Sequence, residues 1–459
     1  MNPGSKGLGL SPFDKARLLQ RLTGQAKAEE RPAPAPKIKH APNDLSDLES
    51  YDQFRTVRSA AGILGIDDPY FRVHDGIAGA ETSIGGKTYI NFSSYNYLGL
   101  NGHPAVSAAA KAAIDKYGTS VSASRLVSGE RSIHRALEER LAAIHGAEDC
   151  IAFVSGHATN VTTIGHLMAK NDLIIHDAFV HNSAVQGAQL SGARRLTFPH
   201  NDAAAAERLL TENRARHKRV MIVIEGHYSM DGDIPDLPAF SALARRMGAW
   251  LLVDEAHSLG VVGPKGHGIA EHFGLPSNAA DFWMGTLSKT LSGCGGYIAG
   301  RVELIEYLKI SAPGFVYSVG MPPPVAGAAI ASLDVMAAEP ERVAQLNANA
   351  SLLMDEIRKI GLDTGLSAGL SIVPVITGSS ISAARLSDAL FKRGINVQPI
   401  IYPAVPEKSA RLRFFVSSEH TREHIARTVE ILGEESRRVF SEKVDLASLA
   451  IKLAGLRSR

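Results

Sequence analysis

The sequence predicts an α/β protein built around a mostly parallel sheet, with a smaller α/β domain towards the C-terminus. Between about residues 101 and 332, continuous apolar segments typical of buried strands alternate with helical segments. Parallel strands require crossovers, and helical crossovers cover both faces of a sheet, so this alternation indicates such a fold. A chain of 459 residues is also too long for one ordinary core, which predicts two or more subdomains.

The elements are predicted in chain order from apolar periodicity and turn residues. A helical pattern runs from about 48 to 64, and short strands at 70–73 and 87–92 bracket a turn at 84–86. In the large domain we predict strands at 150–154, 173–175, 220–224, 250–253 and 281–284, with helices at 133–143 and 237–247. A second α/β pattern begins at about 333, with strands near 371–375 and 411–416.

These patterns divide the chain into five parts. They are an N-terminal extension at 1–45, an arm at 46–100, a large domain at 101–332, a small domain at 333–440 and a tail helix at 441–459. The extension combines a short helix, capped by Ser11 with Pro12 at its first position, and a Pro/Ala linker at 31–37. It is either a tethered docking helix or a loose chain end.

Composition and charge exclude several classes of protein. The chain has 49 basic and 47 acidic residues, so no polyanion such as nucleic acid is an expected partner. Cys150 and Cys294 are its only cysteines, which excludes a disulfide framework and a zinc cluster and fits a reducing compartment. No apolar run is long enough to span a membrane and no signal peptide is recognised. We therefore expect a cytoplasmic protein without a metal.

The run Gly285–Gly296 carries the strongest chemical signal. It places Lys289 between two hydroxyl residues and ahead of a glycine-rich stretch. A Schiff-base lysine must lose its proton and move between two partners, and these surroundings suit both needs. Upstream, Asp254 ends an apolar strand, where an acid can keep the ring nitrogen of pyridoxal phosphate (PLP) protonated so that the ring acts as an electron sink. Together the two runs predict a PLP enzyme.

Polar residues also follow other predicted strands, at the edge of a parallel sheet where ligands bind. Ser155, Gly156 and His157 follow the strand at 150–154 and open a helix, whose N-terminus suits a phosphate. Such turns also occur for purely conformational reasons. His181 follows another strand and is either a ring-stacking histidine or an ordinary loop residue that meets solvent.

Four further residues complete the set predicted from position alone. Ser229 ends the next strand and can donate to a ring oxygen, and His257 lies on the same loop as Asp254. Thr286 and Ser288 flank the lysine motif and can hold a phosphate oxygen. We expect all of these side chains to meet at one edge of the sheet.

The chain resembles the α-oxoamine synthases, PLP enzymes of fold type I such as aminolevulinate synthase, amino-oxononanoate synthase, aminoketobutyrate CoA ligase and serine palmitoyltransferase. The matching motifs appear in the family's order across roughly residues 50 to 435. They are Asn96–Leu100, Arg125–Gly129, His181 with Ser183, Ser229–Gly232, Asp254–Ser258, Gly285–Lys289, Tyr317–Ser318 before Met321–Pro323, and Ala410–Arg413.

The resemblance implies a role for each matching residue. It implies catalytic roles for Lys289, Asp254, His181 and His257, and it implies that Ser229 contacts the ring oxygen of the cofactor. Ser155, Gly156, His157, Thr286 and Ser288 match phosphate contacts, while Ser318 and Val319 match contacts to the cofactor phosphate of a neighbouring subunit in a homodimer. Substrate contacts are implied for Asn96, Ser124, Arg125 and Arg413, the last gripping the amino-acid carboxylate.

The reaction implied is a decarboxylative Claisen-type condensation of a small amino acid with an acyl thioester, which yields an α-amino ketone, carbon dioxide and a free thiol. The thioester is an acyl-CoA or is carried by an acyl-carrier protein. Two alternatives stay open: another fold-type-I enzyme such as an aminotransferase, or a non-catalytic partner subunit. The family's glycine-rich run is replaced by Gly118–Arg125, which carries larger side chains. Substrate preference therefore cannot be transferred from a named member.

Overall fold

The computed structural model describes residues 48–442. The predicted extension helix and linker and nearly all of the predicted tail helix therefore lie outside the described residues. Residues 61–442 belong to one compact unit. The proposed division into arm, large domain and small domain stays a prediction.

Helices lie on both faces of the main sheet and also make up much of the chain after its last strand. Their bounds are α1 Glu49–Ile63, α2 Pro104–Tyr117, α3 Ser132–His145, α4 Gly156–Leu167, α5 Asn182–Ser191, α6 Ala203–Asn213, α7 Leu237–Met247, α8 Ile269–His272, α9 Val302–Ser311, α10 Pro313–Val316, α11 Pro323–Ala338, α12 Glu341–Lys359, α13 Ser380–Lys392 and α14 Arg422–Ser441. Short 3₁₀ turns lie at Arg214–Arg216, Ser277–Ala279 and Glu407–Ser409, and Arg125–Gly129 forms a π-helical turn.

The strands fall into three sheets. Their bounds are β1 His74–Asp75, β2 Glu81–Ile84, β3 Lys87–Asn91, β4 Asp149–Phe153, β5 Leu173–Asp177, β6 Arg194–Phe198, β7 Val220–Glu225, β8 Trp250–Asp254, β9 Phe282–Thr286, β10 Gly296–Gly300, β11 Ile372–Ile376, β12 Ile395–Asn396, β13 Gln398–Ile400 and β14 Arg411–Phe415.

The main sheet has the strand order β4-β10-β9-β8-β7-β5-β6. Only β10 runs against its neighbours β4 and β9, so the predicted mostly parallel sheet is confirmed. Successive side chains of β8 enter opposite cores: Leu251 and Val253 pack into one, and Leu252 into the other. Because both faces of the sheet are buried, these strands are apolar without alternation, which is why they were recognisable.

Two strands of this sheet were missed, and both have weak sequence signals. β10 begins and ends with glycine, and β6 lies at an edge of the sheet with exposed Arg194 and Arg195. Charged residues on an edge strand oppose pairing with another chain, but they also hide the strand from an apolar pattern.

The strand predicted at 70–73 is wrong. Phe71 has a φ of +56°, a left-handed conformation that does not continue a strand, and its side chain is 98% exposed. The hairpin partner of β3 is instead β2, joined to it through Gly85 and Gly86, both with positive φ.

The two smaller sheets join distant parts of the sequence. β3 pairs in parallel with β12, and β14 lies between β11 and β13 in an antiparallel sheet. This second arrangement places β14, and with it Arg413, next to the loop that follows β7: the Arg413 guanidinium donates to the carbonyl oxygen of Ser229 over 2.9 Å. Among the described residues, no helix is long and apolar enough to cross a membrane.

Candidate active site

A cavity of about 280 Å³ lies where the loops after β4, β5, β7, β8 and β9 meet. These loops converge because the strands that they follow are parallel and end at one edge of the sheet. The cavity is lined by most of the side chains that the sequence singled out: Ser155, Gly156, His157, His181, Ser229, Asp254, His257, Thr286, Ser288 and Lys289.

Lys289 lies in the loop between β9 and β10. Backbone hydrogen bonds from Leu287 to Gly295 and from Gly293 to Leu287 close this loop, and Thr290 donates to the carbonyl oxygen of Leu259 over 2.7 Å. Burial lowers the pKa of the Lys289 amine to about 8, although the nearby Asp254 carboxylate opposes the shift. The amine is therefore available as a nucleophile and base near neutral pH.

Asp254 is the last residue of β8 and is buried at the base of the cavity. Its Oδ1 accepts from the backbone N–H of Ala256 over 3.0 Å, and its Oδ2 accepts from the side-chain amide of Asn160 over 2.7 Å. Two donors hold the carboxylate in one orientation. A buried carboxylate of this kind suits a cationic partner such as a protonated ring nitrogen.

His181 caps the N-terminus of α5 and faces the same cavity. Its Nδ1 accepts from the backbone N–H of Ser183 over 3.3 Å and is 2.7 Å from the Ser183 hydroxyl. That hydroxyl accepts the second N–H of the Asn160 amide over 3.0 Å. Asn160 thus orients both Asp254 and His181, and burial lowers the pKa of the histidine so that it is neutral.

His257 follows Asp254 on the loop after β8 and is buried. Its Nδ1 is hydrogen-bonded to the phenol of Tyr97 over 2.8 Å. Burial, reinforced by the charge of Lys289, pushes the pKa of His257 well below its ordinary value, so this ring is also neutral.

The opposite end of the cavity has the features of a phosphate site. Ser155 caps α4 by accepting from the backbone N–H of Ala158, and Gly156 is the first residue of this helix. A Cβ on Gly156 would lie 2.7 Å from the Thr286 hydroxyl, so glycine is required for this close approach. The Thr286 hydroxyl is 3.2 Å from that of Ser288. A helix N-terminus flanked by hydroxyls fits a phosphate.

Arg413 is half-buried and has no acidic partner among the described residues. Its Nη1 donates to the carbonyl oxygen of Ser229, its Nε has no hydrogen-bond partner, and it makes no ion pair among residues 48–442. The neighbouring Arg411, by contrast, is paired with Asp231 at 2.7 Å. Burying an unpaired guanidinium is costly, so Arg413 has the properties of a group that awaits an anionic ligand.

A second cavity of about 360 Å³ adjoins the first, and Ser288 and Lys289 line both. Asn96 lines this second cavity, where its amide donates to the carbonyl oxygen of Ala78 over 2.9 Å. Tyr95 also lines it, with the Lys289 amine 5.7 Å from the centre of its ring. The lysine can therefore be approached from two sides.

Five predicted site residues line neither of these cavities. One of them, Arg413, contacts Ser229, which lines the first cavity. The guanidinium of Arg125 contacts the carboxylates of Glu130 and Glu138, and Ser124 directly precedes the π-helical turn. Ser318 is half-buried and Val319 is exposed. Within a single chain, Ser124, Arg125, Ser318 and Val319 do not line the cavities that contain Lys289.

The site also contains residues that the sequence patterns did not reveal. Asn160, Glu225 and Cys294 line the cavity, and Tyr97 contacts His257. Asn160 is the fifth residue of α4, and Glu225 is the last residue of β7. The position of Glu225 at the end of an apolar strand was the same signal that identified Asp254.

The site is of the PLP-dependent class, because it combines a lysine, a buried acid and a helix N-terminus suited to a phosphate. This chain belongs to the aminotransferase class I and II family, whose model matches residues 87–432. It is a PLP-dependent α-oxoamine synthase, an enzyme of the acyltransferase type.

The similar proteins share most of the chain. It is 39% identical to 8-amino-7-oxononanoate synthase of Geobacter sulfurreducens, over 85% of this chain and 96% of that protein. It is 35% identical to serine palmitoyltransferase of Bacteriovorax stolpii, over 83% of this chain and 90% of that protein. A solved structure of SPT with its PLP internal aldimine superposes with a TM-score of 0.82 at 30% identity, covering 86% of this chain and 99% of the other.

Proposed function

We propose that the enzyme condenses a small amino acid with an acyl thioester, with loss of carbon dioxide, to give an α-amino ketone and a free thiol. The observation that carries this proposal is the unpaired guanidinium of Arg413, whose Nε is buried and which contacts Ser229 in the lining of the cavity that contains Lys289 and Asp254. An unpaired guanidinium is suited to a carboxylate, and the lysine and acid are suited to chemistry at the carbon next to an amine.

Lys289 would bind the cofactor aldehyde through its amine. The same amine would take the proton from the substrate Cα as a general base. Its pKa of about 8 allows it to be unprotonated at working pH and still basic enough to accept that proton.

The cofactor would be held by residues at both ends of the cavity. Asp254 would pair with the ring nitrogen, His181 would lie against the ring, and Ser229 and His257 would contact its oxygen. Gly156 and its neighbours Ser155, His157, Thr286 and Ser288 would hold the phosphate. When bound, PLP supplies an electron sink that stabilises negative charge on the substrate Cα.

The substrates would approach from different sides. Arg413 would orient the amino acid through its carboxylate, and the acyl thioester would enter through the second cavity, past Asn96. Ser124 and Arg125 stay candidates for substrate selection, Ser124 because a serine leaves room for an amino acid larger than glycine. The thioester is carried by CoA or by an acyl-carrier protein, and the reaction is proposed to take place in the cytoplasm.

A homodimer with shared sites is part of this proposal. Val127 and Tyr317 are 81% and 87% exposed, and Leu126 and Val319 are exposed as well. Their two loops are neighbours, because Gly320 donates to the carbonyl oxygen of Ala123 over 3.0 Å. An exposed apolar patch of this kind supports a protein interface. Ser318 lies in it and would reach the cofactor phosphate of the partner subunit.

Complementation tests the shared site. Lys289→Ala protomers mixed with Ser318→Trp protomers should regain part of the activity, since mixed dimers contain one site with neither substitution. A fully active monomer in sedimentation analysis would contradict the homodimer.

The reaction is tested by product analysis. Purified holoenzyme is incubated with glycine, alanine or serine and with acyl-CoA or acyl-carrier-protein donors, and products are identified by mass spectrometry. We expect an α-amino ketone, carbon dioxide and free thiol in equal amounts. Accumulation of pyridoxamine phosphate from the amino acid alone would indicate an aminotransferase, and absence of any turnover with bound PLP would indicate a non-catalytic subunit.

A further inference from the structure

Glu225 is a buried acid in the cavity with no role in the reaction described above. It ends β7 and is aligned in the sheet with Asp254, the last residue of β8. Its side chain is 3% exposed and lines the cavity. Two carboxyl groups therefore lie side by side at the base of one site.

The two oxygens of Glu225 differ in their surroundings. Oε2 accepts from the backbone N–H of Ser229 over 3.3 Å, on the turn that carries this cavity residue. Oε1 is buried and has no hydrogen-bond partner among the described residues. Leaving a buried carboxyl oxygen without a partner costs about 1–3 kcal/mol, a cost that a bound ligand would relieve. Oε1 is thus left for a ligand.

The charge state of Glu225 follows from its neighbours. Asp254 must be ionised to pair with a protonated ring nitrogen, and a second anion beside it is unfavourable. Other titratable groups interact electrostatically with Glu225, Asp254 or Lys289. They are His181 after β5, His227 and Tyr228 on the turn after β7, Glu255 and His257 after β8, Tyr297 on β10 and Arg413 on β14. Burial and the Asp254 charge raise the pKa of Glu225 well above its ordinary value, although Lys289 and the backbone N–H groups of His181 and Ser229 oppose the shift.

We propose that Glu225 is a further catalytic residue: a neutral carboxylic acid whose Oε1–H donates a hydrogen bond to an anionic oxygen of the ligand bound in this cavity. The oxygen belongs to the cofactor ring or to the amino-acid carboxylate, which share this chemistry. A hydrogen bond to the amino-acid carboxylate rests on the proposed function. A hydrogen bond to the cofactor ring does not, because PLP binding alone tests it.

The donor role predicts a difference between two substitutions. Glu225→Gln keeps a neutral donor of the same shape, whereas Glu225→Leu removes it. We expect Glu225→Gln to keep ligand affinity within about twofold of wild type and Glu225→Leu to weaken it roughly tenfold or more, as for a hydrogen bond to a charged group. Glu255→Gln is the control, since Glu255 is also buried but accepts from the backbone N–H of Ile269 and does not line the cavity.

Two binding measurements distinguish the sources of the oxygen. The dissociation constant of PLP is measured with the apoprotein, and that of the amino acid by spectral titration of the holoenzyme. Weaker PLP binding in Glu225→Leu assigns the ring oxygen, and weaker amino-acid binding alone assigns the carboxylate. Wild-type affinity in both measurements, or an equal loss in Glu225→Gln and Glu225→Leu, would overturn the proposal.

Infrared spectroscopy tests the protonation state and does not depend on turnover. The wild-type holoenzyme at neutral pH should show C=O stretches of protonated carboxylic acids. Because burial raises the pKa of Glu255 to about 7, this residue contributes a component of its own, and the component lost in Glu225→Gln should persist in Glu255→Gln. Absence from the wild type of a component that Glu225→Gln removes would refute the neutral acid even if Glu225→Leu does not fold. Failure of the proposed condensation would leave this result and the PLP measurement unchanged.

Discussion

Asn160 and Asp254 are joined by a hydrogen bond of 2.7 Å from the amide nitrogen to Oδ2. The second N–H of the same amide reaches Ser183, which contacts His181. One side chain on α4 therefore fixes both the acid at the base of the cavity and the histidine that faces it. Neither contact is visible in the linear sequence, in which the three residues lie far apart.

Asn160→Ala should free both groups and slow exchange of the substrate α-proton by roughly tenfold or more, because Asp254 loses a hydrogen bond to its charged form. Exchange is followed by NMR in D₂O. Asn213→Ala is the matched control, since Asn213 is also buried but donates to Leu209 outside the cavity. An unchanged exchange rate would show that Asp254 is oriented without Asn160.

Asp254→Asn should impair α-proton exchange much more than PLP uptake, since a neutral amide does not keep the ring nitrogen protonated. The phosphate contacts at Gly156 and Thr286 are untouched by this change. Uptake is measured by equilibrium dialysis and exchange by NMR. Exchange at the wild-type rate would exclude Asp254 as the partner of the ring nitrogen.

Lys289→Ala should lower turnover by several orders of magnitude while the protein stays folded, because we propose the lysine as both the covalent partner of the cofactor and the base. Borohydride treatment followed by mass spectrometry should attach PLP to the wild type and not to the variant. Lys265→Ala changes an exposed lysine and serves as control. Near-normal product formation by Lys289→Ala would contradict the assignment.

The pKa of Lys289 predicts how reconstitution depends on pH. Only the unprotonated amine attacks the cofactor aldehyde, and burial lowers the pKa of this amine to about 8. The rate at which apoprotein forms the Schiff base should therefore rise with pH and level off above about 8, as measured by absorbance in stopped flow. A rate that keeps rising towards the pKa of an ordinary lysine, 10.5, would contradict the predicted shift.

Arg413→Ala should raise the KM for the amino acid by roughly 30-fold or more, since truncating one partner of a buried charge pair costs about 2 kcal/mol or more. The KM for the acyl thioester should change little. Arg385→Ala alters an arginine that pairs with Glu442 near the protein surface and is the control. An unchanged KM for the amino acid would indicate that Arg411 or Arg125, and not Arg413, binds the carboxylate.

His200 predicts a pH-dependent stability outside the site. Its two ring nitrogens contact Asp177 at 2.8 Å and Asp233 at 2.9 Å, and these carboxylates raise the pKa of the histidine to about 10, although burial opposes the shift. Because His200 holds its proton more tightly in the folded state, its contacts stabilise the fold fully below pH 6.5, the pKa of the histidine in the unfolded chain. This stabilisation is lost as the pH rises towards 10, the pKa in the folded state.

His200→Asn should therefore lower the free energy of unfolding by roughly 3 kcal/mol at pH 6, as expected when one partner of a buried pair is removed. The difference from wild type should shrink by pH 10. Urea unfolding at both pH values measures it, and a difference that grows with pH would contradict the ion-pair origin.

The sequence by itself determined the fold class and most of the cofactor end of the site. Buried parallel strands are apolar throughout, and polar residues that end such strands must converge at one edge, so Asp254, His181 and Lys289 were identifiable from position. The lysine run was the clearest signal because its chemistry requires a mobile amine in a particular local setting.

Tertiary structure decided what depends on contacts between distant segments. β10 and β6 carry too little apolar pattern to be recognised, and the left-handed conformation of Phe71 is not encoded by a glycine. Arg413 is unpaired while Arg411 is paired with Asp231 only because β14 lies beside the turn after β7. The hydrogen bonds of Asn160 and the free oxygen of Glu225 likewise arise from packing between elements, because burial and partner choice are properties of the folded chain and not of local sequence.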